Sequence, residues 1–319
     1  MSTSESTPPA PLTAAIDIGG TKVAGAIVDA QAGLHGLVEH PTPAAGDARA
    51  VFAAVAAVVA DLGAHPLWAR TSRLGVGSAG PVHVAEGAVS PVNIPSWRTF
   101  PLVAELRRLP VLIGRSITLS GDGVAIAAAE HRHGAARGHR NALCMVVSTG
   151  IGGGLIIDGS PITGVTGNAG HIGHISVDLN GAACACGGIG CLEGIASGTS
   201  IARWAREQGW RGQGGESAKE VAASARQGDP IALAAFDRAA RALGSAIAST
   251  ATMLEIDLAV LGGGVAEAGD LLLDPLRKHY LSFAALPFAR RADITLAQLG
   301  HKSGLIGAAV LAADADRLM

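Results

Sequence analysis

The chain has 319 residues, enough for two domains of ordinary size and for a core that needs no disulfide. Hydrophobic residues make up 49% of the sequence and charged residues 16%, which excludes a disordered chain. A formal net charge of −2 and an aromatic content of only 3% disfavour nucleic acid and acidic membrane surfaces as partners.

The ends and the cysteines of the chain indicate its compartment. The first twelve residues contain no basic start and no apolar run, so no secretory signal is predicted. The most apolar stretch, Ala50–Ala60, is too short to span a bilayer. Clustered thiols in a reducing compartment bind metal more often than they form disulfides. We therefore expect a soluble cytoplasmic protein with no membrane partner.

Two units of the sequence share the pattern of a strand, a glycine-rich turn and a second strand. The first spans residues 14–28 and turns at Gly19–Lys22; the second spans residues 143–157 and turns at Ser148–Gly154. Each predicts a hairpin. Because their spacing is unlike that of any solenoid repeat, the sequence predicts a duplicated domain.

The remaining pattern mixes strands and helices along the chain, which indicates an α/β fold. Helices are predicted at Asp47–Leu62, Pro101–Arg108, Val124–Glu130, Ser197–Gln208, Ser217–Gln227, Pro230–Leu254, Asp270–His279 and Ser303–Ala313. Further strands are predicted at Arg73–Gly77, Val111–Ile113, Leu258–Leu261 and Asp293–Ala297.

Glycine turns at strand ends can present backbone N–H groups to phosphate oxygens. A single turn is more typical of a tight hairpin, but two matched hairpins and a third cluster at Gly262–Gly264 favour a nucleotide. The sequence contains no G-x-x-x-x-G-K-[ST], so a P-loop is excluded. Gly75–Gly80 fits G-x-G-x-x-G, yet Pro81 follows where a helix must begin, so a Rossmann site is disfavoured.

Two carboxylates stand where chemistry could occur. Asp17, at the end of the first strand, suits Mg²⁺, and Lys22 could neutralise a phosphate, although either could be a surface charge at a turn. Asp122 lies at a predicted helix start, where an aspartate is either an N-cap or a positioned general base.

The densest cluster of metal-binding residue types follows the second hairpin. It consists of His174, Cys184, Cys186 and Cys191, and three of the four cysteines fall within eight residues. One imidazole and three thiols match a closed tetrahedral zinc site that is structural and does not activate water. Glu193 comes two residues later, where this site could orient it toward a polar substrate.

At these residues the chain closely resembles the ROK family of bacterial sugar kinases and sugar-responsive repressors. The signature Cys-x-Cys-Gly-x-x-Gly-Cys-x-Glu, complete from Cys184 to Glu193, is highly specific. The other matching segments are Asp17–Lys22, Gly77–Val82, Asn93–Trp97, Ser148–Gly154, Gly170–Glu193 and Leu261–Val265.

The resemblance implies an actin-like, ribonuclease H-like ATPase fold of two α/β domains, with ATP and a sugar in the cleft between them. We expect one domain at residues 12–118 with the C-terminal helix 303–319, and a larger one at 119–302 containing a zinc loop at 171–193. The resemblance also implies Mg²⁺ with ATP, zinc on the four ligands named above, and a homodimer.

The family's site residues carry over by position. Asp122 matches the catalytic base, which takes the proton from the sugar 6-hydroxyl. The implied sugar-binding residues are Gly80, Asn93, His171, His174 and Glu193. The implied nucleotide-binding residues are Asp17, Gly19, Gly20, Thr21, Lys22, Thr149, Gly150, Gly152, Gly153, Gly262, Gly263 and Gly264.

Two departures from the family pattern bear on the substrate. Gly121 stands where the family usually has an asparagine that contacts the sugar, and His171 stands where the family's glucokinases have glutamate. The family's N-acetylmannosamine kinases resemble this chain in having histidine there, whereas Asn93–Trp97 looks like the glucokinase pattern. An N-acylhexosamine is therefore favoured and glucose is the alternative.

A non-catalytic sugar-binding regulator is a more remote alternative. Repressors of the family carry an N-terminal winged helix-turn-helix, whereas only 16 residues, none of them basic, precede Asp17 here. The two substitutions leave a sugar-binding protein without kinase activity open, and the intact Asp122 and glycine turns argue against it.

Overall fold

The computed structural model describes residues 12–212 and 215–315. They form two compact units, one with the described residues up to Ser120 and from Ala308 onwards, the other with Gly121–Gly307. The strands are β1 (Leu12–Ile18), β2 (Lys22–Val28), β3 (Leu34–Pro41), β4 (Thr71–Ser78), β5 (Val82–His83), β6 (Ala88–Val89), β7 (Ser116–Gly121), β8 (Ala142–Val147), β9 (Ile151–Ile157), β10 (Ser160–Ile162), β11 (Leu258–Gly262) and β12 (Asp293–Leu296). The helices are α1 (Ala48–Gly63), α2 (Leu102–Arg107), α3 (Asp122–His133), α4 (Glu193–Ala196), α5 (Gly198–Glu207), α6 (Ala218–Arg226), α7 (Pro230–Leu254), α8 (Asp270–Phe283) and α9 (Ser303–Asp314).

The first unit is built on a five-stranded sheet in the order β3-β2-β1-β4-β7. β1 pairs antiparallel with β2 and parallel with β4, so the carboxyl ends of β1 and β4 lie side by side. Helix α1 begins after Asp47, whose carboxylate accepts a hydrogen bond from the Ala50 N–H at 2.8 Å. Gly25 of β2 allows this helix to approach closely, because a Cβ there would lie 2.4 Å from Val58.

The second unit repeats this plan in a sheet of order β10-β9-β8-β11-β12. β8 pairs antiparallel with β9 and parallel with β11, which is itself parallel to β12. Each unit therefore contains a hairpin whose first strand has a parallel neighbour on its other side. This shared topology confirms the duplication that the sequence predicts.

Helices α7 and α8 form much of the second unit's core. They pack at short range, since a Cβ on Gly244 would lie 2.8 Å from the backbone nitrogen of Tyr280. Alanine is frequent along α7, and small side chains permit this close approach. Even this helix of 25 residues is not apolar enough to cross a bilayer, and no other described helix qualifies.

The predicted strand at Val111–Ile113 is wrong. Pro110–Leu112 form a turn of 3-10 helix, and the Ile113 side chain is 74% exposed. Proline fixes φ and lacks an N–H, which favours a turn. A run of only three apolar residues is too short to show the periodicity that distinguishes a strand from a helical turn. The strand that the prediction sought is β7, a few residues later.

The glycine turn predicted at Ser148–Gly154 is wrong in its extent. Only residues 148–150 turn, and the Ser148 N–H donates to the Gly150 carbonyl at 2.8 Å, while β9 begins at Ile151. Of the remaining glycines, Gly154 is needed for packing against α3. A Cβ on Gly154 would lie 2.3 Å from the carbonyl oxygen of Gly123.

The sequence disfavours a dinucleotide-binding turn at Gly75–Gly80, and the structure agrees. β4 ends at Ser78, the Gly80–Pro81 peptide bond is cis, and the next element is the short strand β5. No helix N-terminus follows to receive a pyrophosphate.

Candidate functional site

In the first unit, site residues lie at the turn Gly19–Lys22, where β1 ends. Asp17 is half-buried near the end of β1. The Gly19 N–H donates to the Lys22 carbonyl at 3.0 Å, which closes the turn. The Lys22 side chain is exposed and forms an ion pair with Glu39 of β3. The turn is therefore closed by its own backbone, and its lysine is paired with a solvent-exposed partner.

Asn93 lies against this turn. A Cβ on Gly20 would come within 2.5 Å of the Asn93 Nδ2 atom. Asn93 is exposed, but Trp97 close after it is fully buried and anchors the segment. The Val92 N–H donates to the Gly80 carbonyl at 3.2 Å. The structure thus brings the sequence-predicted residues Gly20, Gly80 and Asn93 together in the first unit.

In the second unit, Asp122 begins helix α3. The N-cap position belongs to Gly121, so Asp122 is not an N-cap. Its Oδ1 atom accepts a hydrogen bond from the Gly123 N–H at 2.7 Å. Burial raises the pKa of the Asp122 carboxyl, although the Gly123 hydrogen bond and the neighbouring His171 oppose the shift. A carboxylate with a raised pKa is suited to accept a proton near neutral pH.

His171 is placed next to Asp122. Burial lowers the pKa of His171 more than the Asp122 charge raises it, so the ring is neutral at pH 7. Its Nε2 atom is buried and has no hydrogen-bond partner among the described residues. A buried polar atom of this kind needs a partner, and a bound ligand would supply one.

The start of β9 holds this segment and Glu193 in place. A Cβ on Gly173 would lie 2.1 Å from the Ile151 carbonyl oxygen, so the backbone after His171 crosses β9 in direct contact. The Glu193 Oε2 atom accepts a hydrogen bond from the Ile151 N–H at 2.8 Å. Asp122 is linked to the same strand, because a Cβ on Gly123 would lie 2.1 Å from a carbonyl oxygen of β9.

Four metal-ligand side chains converge beside α4. One nitrogen of His174 and the sulfurs of Cys184, Cys186 and Cys191 all lie within 4.8 Å of one another. Cys186 and Cys191 place their sulfurs 3.6 Å apart, and the Cys184 sulfur is 4.0 Å from His174 Nδ1. Tetrahedral zinc requires separations of about 3.6–3.8 Å between such ligand atoms. The donor set and its spacing therefore fit zinc.

A cavity of about 410 Å³ lies within the second unit, a volume typical of small-molecule sites. Its apolar wall contains Phe236 and Val265, and its polar side chains include Thr199 and Ser217 at the starts of α5 and α6 and Arg226 at the end of α6. The lining residues are Ser148, Thr149, Gly198, Thr199, Ser217, Ala218, Lys219, Ala222, Arg226, Phe236, Gly264, Val265, Glu267 and Ala268.

A family model described as the ROK family matches residues 13–315. The chain belongs to the ROK family. A glucokinase from Streptomyces coelicolor is 34% identical to it, over 97% of this chain and 99% of that protein. An N-acetylmannosamine kinase from Escherichia coli O1:K1 is 38% identical, over 94% and 98% respectively.

The fold of this chain is also similar to that of a solved ROK structure. The ROK family glucokinase from Streptomyces griseus, in complex with glucose and AMPPNP, matches with a TM-score of 0.81 and 34% identity. The match covers 95% of this chain and 99% of that chain. Together with the duplicated sheets, it confirms the predicted actin-like ATPase fold of ROK proteins.

Of the sequence-predicted nucleotide residues in this ROK chain, Thr149 and Gly264 line the cavity. Gly152 and Gly153 instead lie inside β9, and a Cβ on Gly153 would lie 2.9 Å from Ile172. Gly263 supplies a turn with φ of +88° directly after β11.

Sequence reasoning missed the cavity residues on helices α5 and α6. Both helices begin with a serine N-cap, Ser197 for α5 and Ser217 for α6, and the latter forms a capping box with Glu220. The serine N-caps allow the starts of both helices to be predicted from the sequence, but they do not indicate that the two starts line one cavity. Arg226 and Glu267 carried no signal in the sequence.

Proposed function

We propose that this chain is an ATP-dependent sugar kinase that phosphorylates the 6-hydroxyl of a hexose or N-acylhexosamine, with N-acetylmannosamine favoured. Its curated relatives are glucokinases and N-acetylmannosamine kinases. The observation that carries the proposal is the placement of two polar groups beside each other. These are the Asp122 carboxyl, with its raised pKa, and the unpartnered Nε2 atom of His171.

Asp122 is the general base of the proposed reaction. The sugar 6-oxygen forms its bond to the γ-phosphorus, and its proton goes to the Asp122 carboxylate. The bond from that phosphorus to the β–γ bridging oxygen breaks, and ADP leaves with the electron pair. A positioned base typically contributes about 10²–10⁴-fold to the rate.

The glycine turns would hold the phosphates of ATP. Backbone N–H groups of the turns at residues 19–22 and 148–150 can donate to phosphate oxygens. Lys22 would add positive charge by leaving Glu39, because an exposed ion pair costs little to break, about 0–1 kcal/mol. Asp17 is the carboxylate that would hold Mg²⁺, which when bound neutralises phosphate charge.

The adenosine would occupy the cavity of the second unit, beside Gly262–Gly264. The cavity offers apolar surface for a base at Phe236 and Val265, and hydroxyl groups at Thr149 and Thr199. A flat aromatic ring gains from such apolar contacts, whereas a bare phosphate chain does not. These features favour a nucleoside triphosphate as donor.

Five residues would hold the sugar. They are Gly80 and Asn93 in the first unit, with His171, His174 and Glu193 in the second. His174 can serve both the metal and the sugar, because Nδ1 faces the cysteines and leaves Nε2 for a hydroxyl. Groups that are buried and paired with hydroxyls discriminate strongly against the wrong epimer.

The metal in this proposal is one structural zinc on His174, Cys184, Cys186 and Cys191. With all four ligands from the protein, it would organise the loop that leads into Glu193 and would take no part in proton transfer. We also propose a cytoplasmic homodimer, which light scattering and cell fractionation would test.

The choice between sugars depends on two segments that point in different directions. A neutral His171 has one donor and one acceptor, which suits a 2-acetamido group better than an acceptor-only carboxylate does. The exposed Asn93, whose segment resembles glucokinases, supports glucose as the alternative. A non-catalytic regulator is disfavoured by the intact Asp122 and its raised pKa.

The deciding experiment is a coupled assay of ADP release with glucose, mannose, N-acetylglucosamine and N-acetylmannosamine. We expect turnover of at least one, with the highest kcat/KM for N-acetylmannosamine. Binding of a sugar without ADP release at any pH would establish the regulator. Turnover of glucose alone would establish the glucokinase.

A further inference from the structure

Helix α4, which carries Glu193, is a single turn of four residues. A helix this short has no stability of its own. The last carbonyl groups of any helix also lack partners within it and must find them elsewhere. In α4, three successive carbonyls accept hydrogen bonds from side chains of two other helices.

The three donors come from α5 and α7. Ser200 and Arg203 belong to the first turns of α5, and Arg238 lies near the middle of α7. The bonds run from Ser200 Oγ to the Glu193 carbonyl at 2.9 Å, from Arg203 Nη2 to the Gly194 carbonyl at 3.1 Å, and from Arg238 Nη1 to the Ile195 carbonyl at 3.1 Å. We call these three side chains the carbonyl clamp.

The clamp is itself held in place. Ser200 is buried, and its hydroxyl lies 3.0 Å from the N-cap hydroxyl of Ser197. The Arg238 guanidinium is half-buried and stands over the Trp204 ring, 5.7 Å from its centre. Arg203 is exposed, and its Nε atom lies 3.8 Å from the Oε1 atom of Glu207. Because Ser200 and Arg238 are themselves restricted, these two donors can fix the helix whose carbonyls they bind.

The other end of α4 is attached to the metal-ligand cluster. The Gly194 N–H donates to the Cys191 carbonyl at 3.0 Å. Glu193 therefore stands between two anchors, the cysteine loop on one side and the clamp on the other. Its carboxylate meets the Ile151 N–H at 2.8 Å, a geometry that a small rotation of α4 would break.

We propose that Ser200, Arg203 and Arg238 are positioning residues for sugar binding, which act by fixing α4 and hence the Glu193 carboxylate. In this proposal they act on the α4 carbonyls and not on the substrate directly. The proposal rests on the role of Glu193 given under the proposed function.

The test is the sugar affinity of Arg238→Met, which keeps an apolar stem near Trp204 but removes the donor to the Ile195 carbonyl. Glucose and N-acetylmannosamine serve as probes, by steady-state kinetics and by calorimetry. We expect the sugar KM and dissociation constant to rise about tenfold, since small misplacements of binding groups cost large factors. The KM for ATP and the zinc content should not change, and Arg238→Lys, which keeps a donor, should restore part of the affinity.

The matched control is Arg277→Met. Arg277 also donates to a backbone carbonyl in the second unit, from Nη2 to Ile294 at 2.9 Å, but it serves β12 and not α4. Both variants should lose thermal stability, and only Arg238→Met should lose sugar affinity. Ser200→Ala, a smaller change, should weaken sugar binding in the same direction if Arg238→Met folds poorly.

A double-mutant cycle with Glu193→Gln decides whether the clamp acts through Glu193. In the Glu193→Gln background, Arg238→Met should raise the sugar dissociation constant by much less than the tenfold expected in the wild-type background. Full additivity, or an unchanged sugar affinity in Arg238→Met and Ser200→Ala, would overturn the proposal. Calorimetry needs no turnover, so a chain that binds sugar without phosphorylating it would refute the kinase proposal and still test the clamp.

Discussion

Asp122 and His171 show how burial prepares individual residues for chemistry. Removal from water disfavours the charged form of each, so the pKa of the carboxyl rises while that of the imidazole falls. The result is a base that is stronger than an ordinary aspartate, beside a ring that is neutral and can donate or accept. Groups shifted in this way are typical of active sites.

Asp122→Asn tests the base directly. The substitution keeps the shape of the side chain and its acceptor for the Gly123 N–H but removes the proton acceptor. We expect kcat to fall by about 10²-fold or more while the sugar dissociation constant changes little. A variant that kept more than about a tenth of the wild-type kcat would show that another group takes the proton.

The pH dependence of the same variant follows from the raised pKa of Asp122. The folded protein binds this proton more tightly than the unfolded chain, so the group's stabilising contribution is present at low pH and is lost as the pH rises through its folded pKa. Asp122→Asn should therefore be at least as stable as wild type at pH 8, and the difference should shrink as the pH falls through the folded pKa and vanish below the unfolded pKa of about 4. Wild-type activity should fall as the pH drops through the same folded pKa, which thermal scans and pH–rate profiles would measure together.

His171→Glu tests the residue that sets the substrate. A carboxylate only accepts hydrogen bonds, so it should disfavour a 2-acetamido carbonyl and accept a free hydroxyl. A hydrogen bond to a charged group contributes about 1.5–3 kcal/mol. If the 2-acetamido group loses a bond of this strength, the kcat/KM ratio of N-acetylmannosamine to glucose should fall roughly ten- to a hundredfold. The ratio cancels any effect on Asp122 that both sugars share. Robust wild-type turnover of glucose with none of N-acetylmannosamine would instead make Asn93–Trp97 the better guide.

At the scale of elements, the loop of the metal ligands is a short chelating segment that leads straight into α4. We expect one tightly bound zinc per chain. Cys191→Ser should release it and lower both sugar affinity and stability, because Glu193 follows two residues later. Metal analysis of protein purified without chelator is the measurement. The control for zinc content is Cys144→Ser, on a buried thiol of β8 that is not part of the cluster.

The glycines of β9 make a second prediction at this scale. Gly154→Ala would place a Cβ 2.3 Å from the Gly123 carbonyl oxygen, whereas a Cβ on Gly152 would meet nothing within 4 Å. We expect Gly154→Ala to lower the free energy of unfolding by about 1–3 kcal/mol and to reduce kcat, since the start of α3 must move. Gly152→Ala should change the free energy of unfolding by less than about 0.5 kcal/mol. Equal effects in denaturant titrations would contradict the close packing of α3 on β9.

At the scale of the whole molecule, the nucleotide residues proposed above can be tested separately in each unit, at the cavity in the second unit and at the turn of residues 19–22 in the first. Adenosine alone should protect only the cavity segments from hydrogen exchange, around Ser148–Thr149 and Gly264–Ala268. ATP with Mg²⁺ should extend protection to residues 19–22. Unchanged exchange at that turn with saturating ATP would remove it from the phosphate site.

The sequence by itself determined the features whose residues are close along the chain. The four metal ligands fall on short chelating loops, and the two hairpins are closed by their own turns, so local spacing specified them without knowledge of the fold. The helices with strong periods and caps, such as Pro230–Leu254, were predicted for the same reason. The resemblance to the family supplied the role of Asp122.

Only the tertiary structure decided what depends on contacts between distant segments. His171 reaches Asp122 because both pack on β9, and the starts of α5 and α6 line one cavity because of how the helices cover the sheet. The glycines of β9 looked like a turn, since a sequence cannot distinguish a glycine needed for φ from one needed for close packing. The carbonyl clamp, likewise, could not be predicted from the sequence. Its members act through hydrogen bonds to a backbone that lies beside them only once the strands have paired.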